Sequence, residues 1–396
     1  MSLNRLAPEH RALLQQEIAA ALETVKKWRH RLHQLPEIAG HETETSAFIR
    51  ATLPQLGITP HAPWLETDVI ADLPAAATAG NDSRCIGLRA DIDGLPVTEN
   101  NALPYCSTHP GMMHACGHDG HAAMLLGTAL VLSRLPQLRR HRVRLIFQPG
   151  EEMVCMGRKL AATEACDGVD EIYALHGWPG LPVGAVSTLP GVMFGTGAHF
   201  TIRIIGRGAH GAQPENGLNP VPAAGKIAWE LQQLHERYTR QNAVISVCRI
   251  EGGKAANSIP AEVLIQGTTR YFDAGLNQPI AAAIRELVQT SCEPIGLKWQ
   301  FDYDDSYRLP VYNHPAQVEK IAALAEDFLP GTWIAADKPP RAREVFAFCL
   351  DRCGAGAMFW LGLGEKQPPL HNPAFDFNDQ ALTNGITMLT LLALAD

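Results

Sequence analysis

The sequence predicts an α/β protein in which a three-layer αβα domain carries an inserted ferredoxin-like domain. Between residues 68 and 178, short runs of strand-forming residues alternate with helical stretches, which is typical of a three-layer α/β domain. From about residue 190 the predicted order becomes strand, helix, strand, strand, helix, strand, which is the βαββαβ unit of ferredoxin-like domains. We therefore predict one domain made of residues 1–190 and 305–396, and an inserted domain of residues 191–304.

Each element is predicted from the spacing of apolar residues. Apolar residues recur at helical spacing over residues 8–35, and a second helical stretch covers residues 45–56. In the larger domain, the remaining predicted elements are strands 68–73, 85–93, 142–150, 171–178 and 357–364 and helices 119–135, 314–328, 343–352 and 378–395. In the inserted domain they are strand 198–205, helix 219–238, strands 243–250 and 261–272, helix 277–293 and strand 297–303. The Ala/Gly-rich stretch 74–83 is predicted to be a surface loop.

The composition argues against several classes of protein. The chain has 396 residues, of which 46% are hydrophobic and 19% are charged, a balance that excludes global disorder. The net charge of -8 is not offset by a basic tract, which argues against nucleic-acid or anionic-membrane binding and favours a small-molecule partner. The N-terminal stretch lacks the apolar core of a signal peptide, and the nine scattered cysteines fit reduced thiols. We expect a cytoplasmic protein without membrane contact.

Four segments contain side chains that bind metals or move protons. They are MHACGHDGH (113–121), FQPGEE (147–152), ALHGW (174–178) and PLHNPAFDFND (369–379). Each alone has an ordinary explanation, because a Cys-Gly-His can be a packed thiol beside hydrogen-bonding histidines, and an acidic pair can be solvated surface. All four, however, fall where the strand ends of one α/β domain would meet. Together they supply Cys, Glu and His donors for two metal ions with positions left for water and substrate.

One motif points to a different class of enzyme. Residues 206–211, GRGAHG, match the GxGxxG pattern of dinucleotide-binding enzymes and follow a predicted strand. Pro214 and the loop after it occupy the place where the phosphate-binding helix should already run. The context of a dinucleotide site is therefore missing.

Eight segments in order carry a family resemblance. They are RHRLHQLPE (29–37), LRADIDGLPVTE (88–99), MHACGHDGH (113–121), FQPGEE (147–152), LHGWPGLPVG (175–184), GRGAHGAQPENGLNPV (206–221), GGKAANSIPAEVLIQGTTR (252–270) and LHNPAFDFND (370–379). The set resembles the indole-acetyl-amino-acid hydrolase and hippurate hydrolase family, a branch of the dinuclear metallo-aminoacylases and carboxypeptidases. The match covers nearly the whole chain. It implies a zinc-peptidase-like catalytic domain, which is the metal-binding one, and an inserted domain that acts as a lid or dimerisation domain.

The resemblance also implies roles for individual residues. The implied metal ligands are Cys116, His118, Glu152, His176 and His371, with Cys116 in the bridging place that an aspartate fills in other branches. Glu151 falls on the general base, and His210 falls on a lid histidine that polarises the scissile carbonyl, sometimes across a dimer interface. Asn257 and Arg270 match lid positions near the substrate carboxylate.

The implied activity is hydrolysis of the amide bond of an N-acyl amino acid by water activated at two divalent metal ions per chain. The metals would be Zn²⁺ or Mn²⁺, with Co²⁺ or Ni²⁺ as further options. Hippurate-like, N-acetyl and indole-acetyl amino acids are the expected substrates, and a homodimer through the lid domain is the expected assembly. The alternatives are a dipeptidase or carboxypeptidase, an N-carbamoyl-amino-acid hydrolase, or an inactive binding homologue.

Three departures from the family pattern bear on the choice of substrate. A glycine-rich turn is replaced by MVCMGRK (153–159), a histidine by Glu215, and the sequence Glu-Asp-Phe by Glu344, Val345 and Phe346. These positions are expected to line or flank the substrate pocket, whereas the ligand set itself is intact.

Overall fold

The computed structural model describes residues 7–77 and 83–395, so residues 78–82 of the predicted loop 74–83 lie outside the described residues. The helices are α1 (Pro8–His33), α2 (Thr43–Thr52), α3 (His118–Arg134), α4 (Met156–Ala161), α5 (Val221–Thr239), α6 (Asn277–Cys292), α7 (Pro315–Phe328), α8 (Phe346–Cys353) and α9 (Leu382–Leu394). The strands are β1 (Val69–Leu73), β2 (Cys85–Asp91), β3 (Arg142–Gln148), β4 (Glu171–Pro179), β5 (Val186–Thr188), β6 (Gly191–Phe194), β7 (His199–Ile205), β8 (Ala209–His210), β9 (Val244–Glu251), β10 (Ser258–Ile259), β11 (Glu262–Arg270), β12 (Lys298–Asp304), β13 (Val311–Asn313), β14 (Trp333–Ala335) and β15 (Gly356–Gly364). Within the described ranges, no helix has both the length and the apolar content needed to cross a membrane.

The chain forms two compact units. The larger unit contains Met1–Met193, Val311–Lys338 and Val345–Asp396, and the smaller one contains Phe194–Pro310 and Pro339–Glu344. The predicted helix 343–352 begins only at Phe346, because residues up to Glu344 belong to the smaller unit.

The larger unit has a seven-stranded sheet in the order β1-β3-β2-β4-β15-β5-β14. Strands β3, β2, β4 and β15 are parallel to their neighbours in this series, whereas β1 is antiparallel to β3. Leu88 of β2 belongs to the core that contains residues of α1, α3 and α9, whereas Arg89 lies beneath Phe346 of α8. Because successive strand residues face opposite sides of a sheet, these contacts define three layers. The predicted α/β class is confirmed.

The central strands could be predicted from the sequence because they are parallel and buried. Every residue of β2 is buried, and β3 and β4 are buried over most of their lengths. A strand covered on both faces needs apolar residues at nearly every position. The three-residue strands β5, β13 and β14 were not predicted, because so few residues show no periodicity.

The smaller unit is a βαββαβ fold. Its four strands lie in the order β12-β7-β11-β9 and are antiparallel throughout. Strand β11 alternates buried and half-buried residues, and its buried Val263 and Ile265 share a core with residues of α5 and α6. The helices therefore cover one face of this sheet, as the ferredoxin-like prediction requires.

A buried arginine ties α1 to the start of α3 and to the loop before α9. Arg29 is fully buried and places Nη1 2.8 Å from Asp376 Oδ1 and Nε 2.8 Å from Asp379 Oδ1. The same Nη1 lies 3.6 Å from Asp119 Oδ2, on a residue of the first turn of α3. Because an unpaired buried charge is costly, removal of Arg29 would strongly destabilise this corner.

His33 extends the same network. Its Nδ1 donates to Asp119 Oδ2 at 2.8 Å, and its Nε2 lies 3.2 Å from Glu99 Oε1. Burial alone would lower the pKa of His33, but the charge of Asp119 and both hydrogen bonds raise it to about 9. Burial likewise opposes ionisation of Glu99, but the contact with His33 lowers the pKa of Glu99 to about 2. The network is therefore fully charged near neutral pH.

This network predicts a specific dependence of stability on pH. The contribution of His33 is fully present below pH 6.5 and is lost as the pH rises through about 9, whereas that of Glu99 is present above pH 4.5 and is lost as the pH falls through about 2. Between pH 6.5 and 9, chemical denaturation should show a loss of roughly 3 kcal/mol that His33→Gln removes. The exposed His61→Gln is the control. An unchanged slope in His33→Gln would contradict the role given to His33.

Candidate metal centre

The predicted ligands lie at one edge of the seven-stranded sheet. Parallel strands bring their carboxyl ends to the same edge. Glu152 follows β3, His176 lies in the last part of β4, and His371 lies in the loop after β15. Ligand atoms lie within 4.8 Å of one another in three groups, which are Cys116 with His118 and His176, Cys116 with Glu152 and His371, and His118 with Glu151 and Glu152. The structure thus brings together the five predicted ligands and Glu151.

Cys116 is the residue that the first two groups share. Gly117, between Cys116 and His118, has φ +85°, a left-handed conformation that glycine adopts without the strain of a side chain. This turn lets the thiol and the imidazole face the same centre. Cys116 Sγ lies 3.5 Å from His176 Nε2. A thiol shared by two donor groups lies where it could contact two cations.

The donor atoms pass a test of fit for metal ions. His118 Nδ1 donates to Asp93 Oδ1 at 3.1 Å, which leaves Nε2 as the free coordinating nitrogen. This Nε2 is buried and has no hydrogen-bond partner in the described part of the chain. It lies 3.9 Å from Oε1 of Glu152, which is itself 3.1 Å from His371 Nε2. Buried polar atoms are normally satisfied. Their convergence beside a thiol fits a bound divalent cation.

His176 has the tautomer and the charge state that metal coordination would require. Its Nδ1 donates to the carbonyl of Gly177 at 2.8 Å, so the lone pair of Nε2 points toward Cys116. Burial, together with the charge of His121, lowers the pKa of His176 to about 3. The ring is therefore uncharged near neutral pH, as metal binding requires.

Asp93 is a functional residue that the sequence analysis did not single out. One oxygen of its buried carboxylate accepts from His118, and the other accepts the backbone N–H of Glu152 at 2.9 Å. Asp93 thereby orients two ligands from different segments. The available signal was the alternation of acids in RADID (89–93) at the end of a strand that must be buried.

His121 and Asp91 lie behind the donor groups and contact the residues around them. Although Asp91, His118 and His121 also come close enough to form a donor group, both ring nitrogens of His121 are already used. Nδ1 donates to Asp91 Oδ1 at 2.6 Å, and Nε2 accepts the N–H of Gly177 at 2.8 Å. Asp91 also accepts from Arg89 at 2.8 Å. His121 is therefore a support for β4 and not a ligand.

The cluster carries protons that a metal would displace. Burial opposes the charged form of His118, but the charges of Asp91 and Cys116 hold its pKa well above the usual value. Burial and the charge of Glu152 raise the pKa of the Cys116 thiol. A coordinating thiolate and imidazole must both lose these protons, so metal binding is coupled to proton release.

Glu151 is held beside the donors by a tight turn. Gly150 has φ +62°, and a side chain there would meet Met156 at 2.6 Å, so both conformation and space require glycine. Glu151 is buried, and its Oε1 accepts the backbone N–H of Val345 at 3.2 Å. Val345 stands at one of the departures from the family pattern, and its backbone, not its side chain, makes this contact.

The segment after the acid pair is apolar and exposed. Met153 and Val154 expose 55% and 44% of their surfaces, and Cys155 adopts φ +46° before α4 begins at Met156. Exposed large apolar side chains next to a cluster of polar donors are typical of a binding surface.

His210 lies in the smaller unit, on the two-stranded ribbon β8-β10. It pairs with Ser258, and Gly211 donates to the carbonyl of Asn257 at 2.7 Å. His210 Nδ1 accepts the N–H of Ala212 at 3.1 Å, so the neutral ring carries its proton on Nε2. His210 and Asn257 are therefore neighbours, and His210 offers an exposed N–H donor.

Arg270 is far from that pair within the same unit. It ends β11, whereas Ser258 and the ribbon lie beyond the opposite end of this nine-residue strand. At about 3.3 Å per residue, the strand alone separates Arg270 from His210 by roughly 25 Å. No helix begins at the GRGAHG motif, since the 3₁₀ turn Pro214–Asn216 follows it and α5 starts at Val221.

Comparison with known proteins identifies relatives of the whole chain. The model of peptidase family M20/M25/M40 matches residues 87–395. An N-acetyl-L-cysteine deacetylase of Bacillus subtilis (strain 168) is 34% identical over 358 residues, covering 89% of this chain and 83% of the relative. An N-acyl-L-amino acid amidohydrolase of Geobacillus stearothermophilus is 35% identical over 309 residues, covering 76% and 82% of the two chains.

A solved structure shares the fold and has related chemistry. The YXEP protein of Bacillus subtilis, a dinuclear metal binding peptidase from the M20 family, superimposes with a TM-score of 0.81 at 31% identity and covers 95% of this chain and 98% of its own. Together with the converging donors, this relative supports a pair of metal ions. The relationship predicted from eight ordered segments, and with it a metal-dependent hydrolase, is confirmed. The chain belongs to peptidase family M20/M25/M40.

Proposed function

We propose that this protein cleaves the amide bond of N-acyl amino acids at a centre of two divalent metal ions. The observation that carries the proposal is the meeting of five donors and Glu151 at the ends of parallel strands. The relatives named as N-acetyl-L-cysteine deacetylase and N-acyl-L-amino acid amidohydrolase support this substrate class. Measuring release of the acyl acid from N-acetyl, N-benzoyl and indole-acetyl amino acids tests it directly, whereas release of CO₂ and ammonia would indicate a carbamoyl substrate.

The ligands in this proposal are Cys116, His118, Glu152, His176 and His371, with Cys116 bridging. A thiolate and imidazoles favour Zn²⁺, whereas the carboxylate also suits Mn²⁺, so these are the proposed metals, with Co²⁺ and Ni²⁺ as further options. The bound cations would lower the pKa of water and polarise the scissile carbonyl. Asp93 and the carbonyl of Gly177 would keep the imidazoles of His118 and His176 in the coordinating tautomer.

Glu151 is the proposed general base. Its carboxylate would accept a proton from the attacking water and then donate that proton to the leaving amine. The N–H of Val345 donates to Oε1 of Glu151 and so helps to position this carboxylate. Met153 and Val154 would offer an apolar surface to the acyl group, since they directly follow the acid pair.

The smaller unit is proposed to act as a lid and dimerisation domain. His210 would donate its Nε2 proton to the carbonyl oxygen, and Asn257 and Arg270 would bind the polar part of the substrate. An N-acyl amino acid is far shorter than the roughly 25 Å between His210 and Arg270 of one chain. If both residues act on one substrate molecule, they come from different chains of a homodimer.

We also propose a cytoplasmic location. The nine cysteines form no disulfide within the described residues, as expected of thiols in a reducing compartment.

Replacing the general base should stop turnover without removing the metals. Glu151→Gln is isosteric but cannot accept a proton, so kcat should fall by about 10²-fold or more. Metal content by mass spectrometry and the thermal midpoint should match the parent protein, and Glu164→Gln, outside the centre, is the matched control. Near-normal turnover in metal-replete Glu151→Gln would contradict the assignment of the base.

Subunit complementation tests the origin of His210. His210→Ala alone should lose about 10²-fold in kcat, because a donor to the developing oxyanion is worth on the order of 3 kcal/mol. Heterodimers that combine His210→Ala with Glu151→Gln contain one intact site if His210 acts on the partner chain, so about half of the parental turnover per dimer should return. Heterodimers that remain as inactive as the two single variants would show that His210 acts within its own chain.

A further inference from the structure

The open face of the smaller sheet carries a group of cationic side chains that the proposed mechanism uses only in part. His199 of β7 pairs with Thr268 of β11 on one side and with Asp304 of β12 on the other. Arg270 is two residues beyond Thr268 and therefore on the same face. This is the face opposite to α5 and α6, because the alternate residues Val263 and Ile265 pack in the core with those helices.

A second arginine reaches the same place from a distant part of the sequence. The segment 339–344 belongs to the smaller unit, and its Pro340 carbonyl accepts the N–H of Gly195 at 3.2 Å. In this segment, Arg343 places Cζ 4.0 Å from the centre of the Tyr307 ring. Arg343 Nη1 is buried and has no hydrogen-bond partner among the residues the structure describes. Stacking on Tyr307 fixes the guanidinium of Arg343, and its N–H groups at Nη1 can donate to an anion.

The segment of Arg343 lies beside the strand end that carries Arg270, because a side chain at Gly195 would meet both the carbonyl of Tyr271 at 3.3 Å and Cα of Arg341 at 3.5 Å. Burial and the charge of Arg343 lower the pKa of Arg270 to about 10. Burial and the charges of both arginines lower the pKa of His199, so this ring adds little positive charge near neutral pH. Asp302 and Asp304 of β12 also lie on this face, because they pair with Thr201 and His199 of β7, and Asp304 accepts from the backbone N–H of Ser306 at 3.0 Å. Two repelling cations thus share one partly exposed site.

The hydrogen bonds that Arg270 makes within the protein leave some of its N–H donors for a ligand. Its Nη1 donates to the hydroxyl of Thr268 and, at 2.7 Å, to the carbonyl of Thr269. Both contacts use one nitrogen and orient the plane of the guanidinium. Since a guanidinium carries five N–H donors, Arg270 retains donors for a carboxylate.

We propose that Arg270 and Arg343 form a two-guanidinium site that binds a dicarboxylate, which makes N-acyl derivatives of acidic amino acids the preferred substrates. This inference rests on the proposed function for its substrate class. One carboxylate would satisfy one fork and leave the second cation unpaired, whereas the α-carboxylate and side-chain carboxylate of glutamate or aspartate can satisfy both. Arg343 is thereby a specificity-determining residue in the segment before Val345.

The test measures binding separately from hydrolysis. Isothermal titration calorimetry on the full-length, metal-loaded Glu151→Gln protein compares N-acetyl-L-glutamate with its isostere N-acetyl-L-glutamine, which keeps the α-carboxylate but has an uncharged side chain. The glutamate compound should bind about tenfold or more tightly, as expected for one additional charge-assisted contact. Equal affinities would overturn the proposal. If the parent protein hydrolysed no acyl amino acid, the proposed function would fail, but this binding preference would still be measurable.

Substitutions assign the preference to Arg343. In Arg343→Gln the affinity for N-acetyl-L-glutamate should fall to that for N-acetyl-L-glutamine, while the latter changes by less than about twofold. Arg343→Lys keeps the positive charge but lacks the planar guanidinium, so it should retain part of the preference for N-acetyl-L-glutamate. This variant also tests the assignment if Arg343→Gln does not fold. Arg203→Gln is the control, because Arg203 lies on the same strand as His199 but pairs with Glu262 at 2.7 Å. A preference that survives in Arg343→Gln, or that is lost equally in Arg203→Gln, would overturn the assignment.

Discussion

The parallel pairing of β3, β2, β4 and β15 is the constraint on which the metal centre depends. These strands are buried on both faces and are mostly apolar, and the donors lie near their carboxyl ends or in the segments that follow them. Because they run in the same direction, those residues meet at one edge. Side chains that are up to 255 positions apart in sequence, from Cys116 to His371, therefore approach one centre.

Buried carboxylates behind the ligands determine which atoms face that centre. Asp93 accepts from both His118 and the backbone of Glu152, and Asp91 accepts from both Arg89 and His121. Each carboxylate is fully buried and would be costly without such partners. The arrangement fixes one tautomer of each imidazole and holds protons that the cations must displace. These hydrogen bonds orient the imidazoles independently of any bound metal ion or substrate.

The sequence indicated the donors better than their supports. Cys116, His118 and His371 are chemically distinctive types at the start of a predicted helix and in a polar loop before another, so pattern and resemblance together indicated them. The sequence did not indicate the supporting roles of Asp91 and Asp93, because the role of a buried carboxylate depends on its hydrogen-bond partners, which only the structure shows. Long elements were predicted within a few residues, but β5 and β14 were too short to show a period. The φ of +66° at His371 and the contact of Val345 with Glu151 depend on tertiary structure.

The central claim is that two cations share the thiolate of Cys116. Anomalous diffraction from crystals of the Zn²⁺-loaded protein, recorded on both sides of the zinc absorption edge, tests it most directly. The account predicts two peaks per chain, both within coordination distance of Cys116 Sγ at about 2.3 Å, one also bound by His118 and His176 and the other by Glu152 and His371. A single peak, or two peaks with Cys116 outside the coordination sphere of either, would contradict it.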